Sequence, residues 1–437
     1  MVNPNRPVDD TGTEAAPAAS DDAVDPDRCA EPDLGTSFLM EAFDPANRSN
    51  PYPLYARMRA SHPVLDAGNH LWFAFSHGAA QALLRAKQVS SDERRSAAYQ
   101  RELADGNVPA HVLDREPSML FLDPPDHDRL RGLVNQAFTQ RRVELLASSI
   151  EARTADLLDT IDGAGPVDLV EALAYPLPVA VICELMGVPE QDHRQFGAWS
   201  RDLTKGLDPS QLRTEDDNLS IAAALDGLED YIADLLRHRR AVPGDDLLTA
   251  LLDASDGEDR LSETELISLA VLLLVAGHET TVNLIGNGAV ALLHHPDQLA
   301  RWRSDPSLAK GAVDELLRFD SPVQIGMRVT IEETELGGMM VPPGEAILIL
   351  LGAANRDPEM FADPDRLDLG RHNATRHLSF GGGIHHCLGM ALARTEGHIV
   401  LGGLVARFPN LALVDEPEIG DRFVLRGYPR IMVDSGR

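Results

Sequence analysis

The stretch Phe380-Gly381-Gly382-Gly383-Ile384-His385-His386-Cys387-Leu388-Gly389 decides the fold. Its glycines permit positive φ angles and leave no side chain to hold a flat ligand away. A helix-forming run, Met390-Ala391-Leu392-Ala393-Arg394, follows, so the Cys387 thiol lies just before a predicted helix N-terminus, where a thiolate is favoured. A lone cysteine is more often a small buried hydrophobic residue, so other parts of the chain must decide its role.

A long apolar helix is the second feature. It begins at the capping-box pattern Ser262-Glu263-Thr264-Glu265 and is predicted to run to His295, roughly 50 Å at about 1.5 Å per residue. Residues Leu269–Ala276 are apolar on nearly all sides, which indicates burial. The polar cluster Ala276-Gly277-His278-Glu279-Thr280-Thr281 follows directly. It favours a groove for a small ligand or a proton path, with the Thr280 hydroxyl facing the groove or a backbone carbonyl.

Two charged pairs stand out elsewhere in the chain. His127 and Arg131 are i and i+4 on a helix started by two prolines, so they share one face. They are candidate donors to a carboxylate-bearing ligand, and the alternative is an ordinary solvated basic face. Glu315 and Arg318 are i and i+3 on a later helix. In isolation, such a surface pair contributes only a few tenths of a kcal/mol.

Composition excludes several classes of protein. The chain has 437 residues and a formal net charge of −30, which disfavours nucleic acid and anionic membranes as partners. Its three cysteines, Cys29, Cys183 and Cys387, are odd in number and imply no disulfide framework. We therefore expect a reducing, cytoplasmic compartment. Cys183 lies in an apolar helical run and is expected to be core.

The N-terminal segment differs from the rest of the chain. Residues 1–35 carry nine acidic and two basic residues, with five prolines and no apolar run. This pattern predicts a disordered acidic leader over 1–38, which is no signal peptide, and a single domain over 39–437. The most apolar run, Leu269–Ala276, is too short to cross a bilayer, so we expect no membrane anchor.

Together these motifs resemble those of the soluble bacterial cytochrome P450 monooxygenases, over residues 40–437. The haem-binding pattern Phe-Gly-x-Gly-x-His-x-Cys-x-Gly falls on Phe380, Gly381, Gly383, His385, Cys387 and Gly389. The Ala276–Thr281 cluster resembles the oxygen-activating motif. Glu315 and Arg318 resemble the Glu-x-x-Arg pair, for which Arg366 is the expected third member. The implied fold is mainly α with small β-sheets, a single large triangular domain around one long central helix.

The resemblance also implies a cofactor, haem b, and a role for each motif. Cys387 would be the axial ligand of the haem iron, and electron donation from its thiolate would help to cleave dioxygen. Thr280 and Glu279 would be the catalytic residues, the hydroxyl hydrogen-bonding bound dioxygen and the acid relaying protons. The two haem propionates would be held by four residues: His127, Arg131, Arg328 and His385.

Electrons must come from outside the chain, because no glycine-rich dinucleotide fingerprint or flavin domain is evident. The resemblance implies NAD(P)H as their source, delivered by a ferredoxin and its reductase, or by a flavodoxin, to a monomeric enzyme. Arg129, Arg141 and Arg142 are candidates for a basic docking patch on the cysteine side. Ordinary solvated charge is the alternative for these arginines.

The substrate is expected to be bulky and lipophilic, because the candidate wall positions are mostly apolar. These positions are Val275, Ala276, Val323, Ile325, Phe423 and Val424, together with the irregular segments 88–120 and 205–218. The run Leu274–Asn283 resembles actinobacterial enzymes that hydroxylate macrolides, polyketides and similar natural products. The implied product is a hydroxylated or epoxidised secondary metabolite.

Other classes of protein make poorer use of these residues. A haem-binding ligand sensor needs the cysteine loop but has no use for Glu279 and Thr280. A peroxygenase without O2-dependent chemistry usually replaces this acid–alcohol pair. A zinc enzyme built on His278-Glu279 lacks the second histidine of a His-Glu-x-x-His motif, because Val282 occupies that position.

Overall fold

The computed structural model describes residues 34–108, 113, 115, 117–163, 165–256 and 259–436. Helices dominate it, as the sequence predicts. The α-helices are α1 (Leu34–Phe43), α2 (Pro45–Ser49), α3 (Tyr52–Ser61), α4 (His77–Arg85), α5 (Ala97–Ala104), α6 (Asp126–Ala137), α7 (Gln140–Ile161), α8 (Pro176–Met186), α9 (His193–Thr204), α10 (Glu215–Ala241), α11 (Leu247–Asp253), α12 (Glu263–His294), α13 (Pro296–Ser304), α14 (Ala309–Phe319), α15 (Leu351–Ala354) and α16 (Met390–Arg407).

Small β-sheets lie beside these helices. The strands are β1 (Val64–Asp66), β2 (Leu71–Ala74), β3 (Val89–Ser90), β4 (Val167–Asp168), β5 (Ser255–Asp256), β6 (Asp259–Arg260), β7 (Ile325–Thr330), β8 (Thr334–Leu336), β9 (Met339–Val341), β10 (Ala346–Leu350), β11 (Ala412–Leu413) and β12 (Met432–Asp434). A five-stranded sheet has the order β1-β2-β10-β7-β3, in which only the β2–β10 pairing is parallel. A three-stranded sheet, β11-β12-β4, brings the C-terminal strand against the middle of the chain.

Helix α12 is the long central helix that the sequence predicts. Both bonds of its capping box form: Glu265 N donates to Ser262 Oγ, and Ser262 N donates to Glu265 Oε2. It runs for 32 residues and lies in the main hydrophobic core. By length and composition it could cross a membrane, but 67% of its most apolar window is buried inside the protein. It is therefore placed as a core helix.

Two features of the N-terminal part of the chain differ from the predictions. Helix α1 begins at Leu34, and Phe38 is buried with its ring centroid 4.9 Å from that of Phe73. The predicted leader boundary at residue 38 is therefore too late, and residues 1–33, with Cys29, lie outside the described residues. The 88–120 segment also contains regular structure, since α5 is capped by the Ser96 side chain.

Candidate active site

The cysteine loop is fixed by its glycines and by α4. Gly381 and Gly383 both have φ of +66°. A Cβ on Gly383 would lie 2.1 Å from the backbone oxygen of Leu84, so only glycine allows α4 to approach this closely. Cys387 N donates to Phe380 O at 3.0 Å, which closes the loop. The sequence prediction of a glycine loop leading into a helix is confirmed.

Opposing influences act on the Cys387 thiol. Burial raises the pKa of Cys387 above its usual value, and this is the largest effect. The N–H groups of Gly389 and Met390, at the start of α16, lower the pKa, as do the charges of Arg131 and Arg394. The helix terminus thus acts in the predicted direction, but burial outweighs it in the protein alone. A coordinated metal ion deprotonates such a thiol outright.

Four cationic or potentially cationic side chains meet beside this loop, as the sequence predicts. Arg131 Nη2 donates to His386 O at 2.8 Å, which joins α6 to the cysteine loop. The rings of His127 and His385 lie 4.3 Å apart between centroids. Arg328 is half-buried on β7, and its charge helps to lower the pKa of His385. A solvated basic face is excluded for His127, because its side chain is buried.

This cluster fits an anionic partner. Nε2 of His127 and Nε2 of His385 are both buried and accept or donate no hydrogen bond within the described residues. Buried polar atoms nearly always have a partner. Burial, followed by the charges of Arg328 and His127, lowers the pKa of His385 to about 4. Carboxylates at this position would satisfy both nitrogens and offset the concentrated positive charge. The residues present therefore fit the propionates of a haem whose iron would be held by Cys387.

The middle of α12 has an open face. Ala276 is exposed although it lies deep within the helix, and Thr280 is half-buried one turn later. Thr280 Oγ1 donates to Ala276 O at 2.7 Å, and Thr281 Oγ1 donates to Gly277 O at 3.2 Å. Gly277 faces a different way, since a Cβ there would lie 2.9 Å from Ile182 Cδ1 on α8. The predicted space beside the helix is therefore next to Ala276, whereas Gly277 serves helix packing.

Burial favours the neutral form of both Glu279 and His278. Burial raises the pKa of Glu279, while Arg201 and Arg422 partly oppose the rise. Its Oε2 is buried and accepts no hydrogen bond within the described residues. Burial lowers the pKa of His278 to about 3, and its Nδ1 shares a hydrogen bond of 3.0 Å with Ser200 Oγ on α9. A protonatable acid without a fixed partner is therefore available close to Thr280.

The Glu315–Arg318 pair is part of a buried network rather than a surface pair. Both side chains are fully buried, and Arg318 Nε and Nη2 donate to the Glu315 carboxylate at 2.7 and 2.9 Å. The third arginine is Arg371, whose Nε lies 3.1 and 3.0 Å from the two Glu315 oxygens. The prediction of Arg366 is wrong, because that residue contributes only its backbone carbonyl to Arg318 and Arg371. Arg371 lies in a stretch without periodic pattern, so no local signal identified it.

Two predicted wall segments from distant parts of the chain, around Val323 and around Val424, come together. Val323 and Leu425 form an antiparallel bridge, and Gln324 N donates to Val424 O at 2.9 Å. Val275, Val323, Phe423 and Val424 are all half-buried. Ile325 differs, because its side chain is buried in the core cluster around Phe38 and Phe73. Its strand position therefore turns it toward the core.

The predicted basic patch is weaker than the sequence indicates. Arg129 forms ion pairs with Asp259 and Glu265, so its charge is neutralised locally. Arg142 lies 3.8 Å from Asp245, whereas Arg141 is exposed. Within the cysteine loop itself, the apolar side chain of Ile384 is exposed, at 46% accessible.

Comparisons with known proteins agree with this geometry. The sequence model of the family described as "Cytochrome P450" matches residues 95–431. The vitamin D(3) 25-hydroxylase of Pseudonocardia autotrophica is 44% identical over 89% of this chain and 94% of that protein. The 6-deoxyerythronolide B hydroxylase of Saccharopolyspora erythraea is 41% identical over 87% of this chain and 95% of that protein.

A solved structure shows the same fold. The ligand-free crystal structure of Mycobacterium smegmatis CYP164A2 superposes with a TM-score of 0.84 at 41% identity, covering 91% of this chain and 99% of that one. Extensive identity and a shared fold accompany a cysteine loop, a cationic cluster and a polar helix centre that fit one cofactor. The chain therefore belongs to the cytochrome P450 family of haem-dependent monooxygenases.

Proposed function

We propose that this enzyme inserts one atom of O2 into a bulky lipophilic secondary metabolite, such as a macrolide or polyketide, by hydroxylation or epoxidation. The observation that carries the proposal is the pair of unpartnered, buried Nε2 atoms of His127 and His385 beside the Cys387 loop. They support a carboxylate-bearing cofactor, which would lie between this loop and α12.

The residues of the cysteine side hold the cofactor. When bound, haem b supplies an iron centre that binds and reduces dioxygen. Cys387 would hold the iron through its thiolate, whose negative charge the N–H groups of Gly389 and Met390 stabilise. Arg131 and Arg328 would neutralise the two propionates, and His127 and His385 would hydrogen-bond to them, since they would otherwise be buried charges of high cost.

The residues of α12 handle protons. The Thr280 hydroxyl donates a hydrogen bond to Ala276 O. Rotation of the side chain would turn this hydroxyl toward the open face of the helix. Glu279 has a raised pKa, so its carboxyl takes up and releases a proton nearer to neutral pH than an exposed glutamate does. This pair favours O2-dependent monooxygenation over a haem-binding ligand sensor or a peroxygenase, neither of which needs such a relay.

The names of two relatives support the substrate class. One is a hydroxylase of vitamin D(3), and the other is a hydroxylase of 6-deoxyerythronolide B. Vitamin D is a sterol-like molecule and the erythronolide is a macrolide ring, so both are bulky and lipophilic. The apolar positions Val275, Val323, Phe423 and Val424 suit such a molecule.

Electron delivery is proposed at the cysteine side. The source is NAD(P)H, through a ferredoxin and its reductase or through a flavodoxin, in the cytoplasm and to a monomer. The exposed Ile384 lies in the cysteine loop, and Arg85 ends the helix α4 that packs against this loop. An exposed apolar residue in a loop next to an arginine suits an acidic protein partner.

A spectral titration tests the substrate class. A panel of macrolides, polyketide lactones, sterols and terpenes is added to the ferric enzyme, and the low-spin to high-spin shift of the haem spectrum is recorded. We expect saturable shifts with members of the macrolide or polyketide group, and product carrying one atom from labelled O2 when ferredoxin, reductase and NADPH are supplied. The absence of a saturable shift with every macrolide and polyketide lactone in the panel would contradict the proposed substrate class.

A further inference from the structure

We propose that Asp208 is a positioning residue that holds the C-terminal loop, defined as residues 422–425, and thereby determines how bulky ligands are accommodated above the haem. This inference rests on the proposed function, because it assigns Phe423 and Val424 to the substrate wall. Asp208 lies in the connecting segment 205–214, between α9 and α10.

The contact is made by one buried carboxylate and two consecutive backbone amides. Asp208 Oδ1 accepts hydrogen bonds from Phe423 N at 3.0 Å and from Val424 N at 2.9 Å. Its side chain is 8% accessible, and Oδ2 lies 3.5 Å from Arg422 Nη1. Bonds from amides to an ionised acceptor are about twice as strong as neutral ones. The arrangement therefore caps the loop as a carboxylate caps the start of a helix.

The other side of the loop is attached to residues 322–324, which lie just before β7. Gln324 N donates to Val424 O at 2.9 Å, and Arg426 N donates to Pro322 O at 2.8 Å. Asp208 supplies acceptors on the side away from these contacts, where the amides of 423 and 424 have no strand partner in the described chain. The C-terminal loop is thus held between residues 322–324 and the connecting segment.

Two further contacts connect the loop to other parts of the fold. The Phe423 ring lies 4.8 Å from that of Phe43 on α1. Arg422 lies close enough to Glu279 to lower the pKa of that residue, so the loop is near the polar centre of α12. The loop that Asp208 holds is therefore linked through Phe423 to α1 and through Arg422 to the polar centre of α12.

Loss of the carboxylate should free the loop without disturbing the haem. Two part-buried amides would lose their hydrogen-bond acceptor. The loop would then adopt several conformations instead of one. A ligand that reaches the loop would then bind less tightly, because the loop must be ordered on binding. A ligand that touches only the iron would be unaffected.

The experiment compares Asp208→Ala, Asp208→Asn and a matched control, Asp216→Ala. Asp216 is an exposed acid at the start of α10, and its removal changes the charge equally. The asparagine variant keeps an oxygen that accepts both amide bonds. Two probes are titrated into each ferric enzyme and followed by the Soret band: econazole, which is bulky, and imidazole, which is small. Amide hydrogen exchange of the peptide containing 422–425 is measured in parallel.

We expect Asp208→Ala to weaken econazole binding about tenfold, with imidazole binding unchanged and exchange of the 422–425 amides accelerated. Asp208→Asn should restore most of the affinity, and Asp216→Ala should match the wild type. The inference is overturned if Asp208→Ala leaves the affinities for both probes and the amide exchange unchanged. It is also overturned if the affinity for imidazole falls by the same factor as that for econazole. Amide exchange needs no haem, so it tests the loop contact even if the protein lacks the proposed haem-thiolate chemistry.

Discussion

Arg371 Nε lies 3.1 Å from Oε1 and 3.0 Å from Oε2 of Glu315, so two arginines share this fully buried carboxylate. The Arg371 guanidinium also donates to the carbonyls of Ala362, Asp363 and Arg366. It thus ties α14 to the irregular chain that leads into the cysteine loop. The network therefore fixes the position of this irregular chain relative to α14.

Arg371→Ala should therefore be severely destabilising, and Arg366→Ala should not. Removing one partner of a buried ion pair costs about 3–5 kcal/mol, because the other charge stays buried. Arg366 is exposed and contributes only its backbone carbonyl to the network, so its truncation should change the free energy of unfolding by less than about 0.5 kcal/mol. Urea titrations of the two variants measure the difference. Equal costs would contradict the assignment of Arg371.

Thr280→Ala should uncouple electron transfer from product formation. Thr281→Ala is a matched control, because Thr281 makes the same type of bond to a carbonyl one turn back but is buried. We expect Thr280→Ala to retain haem and lower product per NADPH by roughly tenfold or more, as for loss of a proton-transfer group, while peroxide rises. Product and peroxide are quantified with any substrate found by the spectral titration. Unchanged coupling in Thr280→Ala would exclude the relay role.

Arg131→Ala should weaken haem retention. Loss of one charge-assisted bond to a propionate is expected to speed transfer of haem to apomyoglobin about tenfold or more. Arg129→Ala provides the comparison, since Arg129 lies two residues away but pairs with Asp259 and Glu265. Haem transfer rates are followed by absorbance. Similar rates for the two variants would contradict a propionate role for Arg131.

The buried Glu396 should make the free energy of unfolding depend on pH. It is buried on α16, its Oε2 has no hydrogen-bond partner within the described chain, and burial raises its pKa from 4.5 to about 8. Between these values the folded state binds more protons than the unfolded state, so the free energy of unfolding falls as pH rises, by about 1.4 kcal/mol per pH unit.

The Glu396→Gln variant should remove this contribution. Its stability relative to the wild type should therefore increase from pH 5 to pH 8, as measured by urea titration at each pH. Glu151→Gln, on the exposed face of α7, should show no such trend. A constant difference between Glu396→Gln and the wild type across this range would show that Glu396 does not titrate there.

The sequence predicts those features whose signals are local. The capping box of Ser262 and Glu265 marks the start of α12, because both bonds join residues three apart. The i, i+4 spacing of His127 and Arg131 places them on one face by helix geometry alone. The length of α12 and the cysteine loop follow from signals of this kind, whereas the family resemblance implied that Arg328 and His385 join His127 and Arg131.

Features that depend on contacts between distant residues could not be predicted in this way. Arg366 and Arg371 are both arginines in the same irregular stretch, and only the folded chain decides which one reaches Glu315. Ile325 looks like a wall residue by composition, but the register of β7 turns it into the core. Asp208 joins Phe423 across more than two hundred residues, and no pattern around either position indicates the contact.

The carbon monoxide spectrum of the reduced protein tests the central claim most directly. Cys387 as axial ligand predicts the red-shifted Soret band of thiolate-ligated haem in the wild type. Cys387→Ser should lose this band, whereas Cys183→Ala, at a buried core position on α8, should retain it. An imidazole-like band in the wild type, the absence of bound haem, or a thiolate band that survives Cys387→Ser would contradict the account.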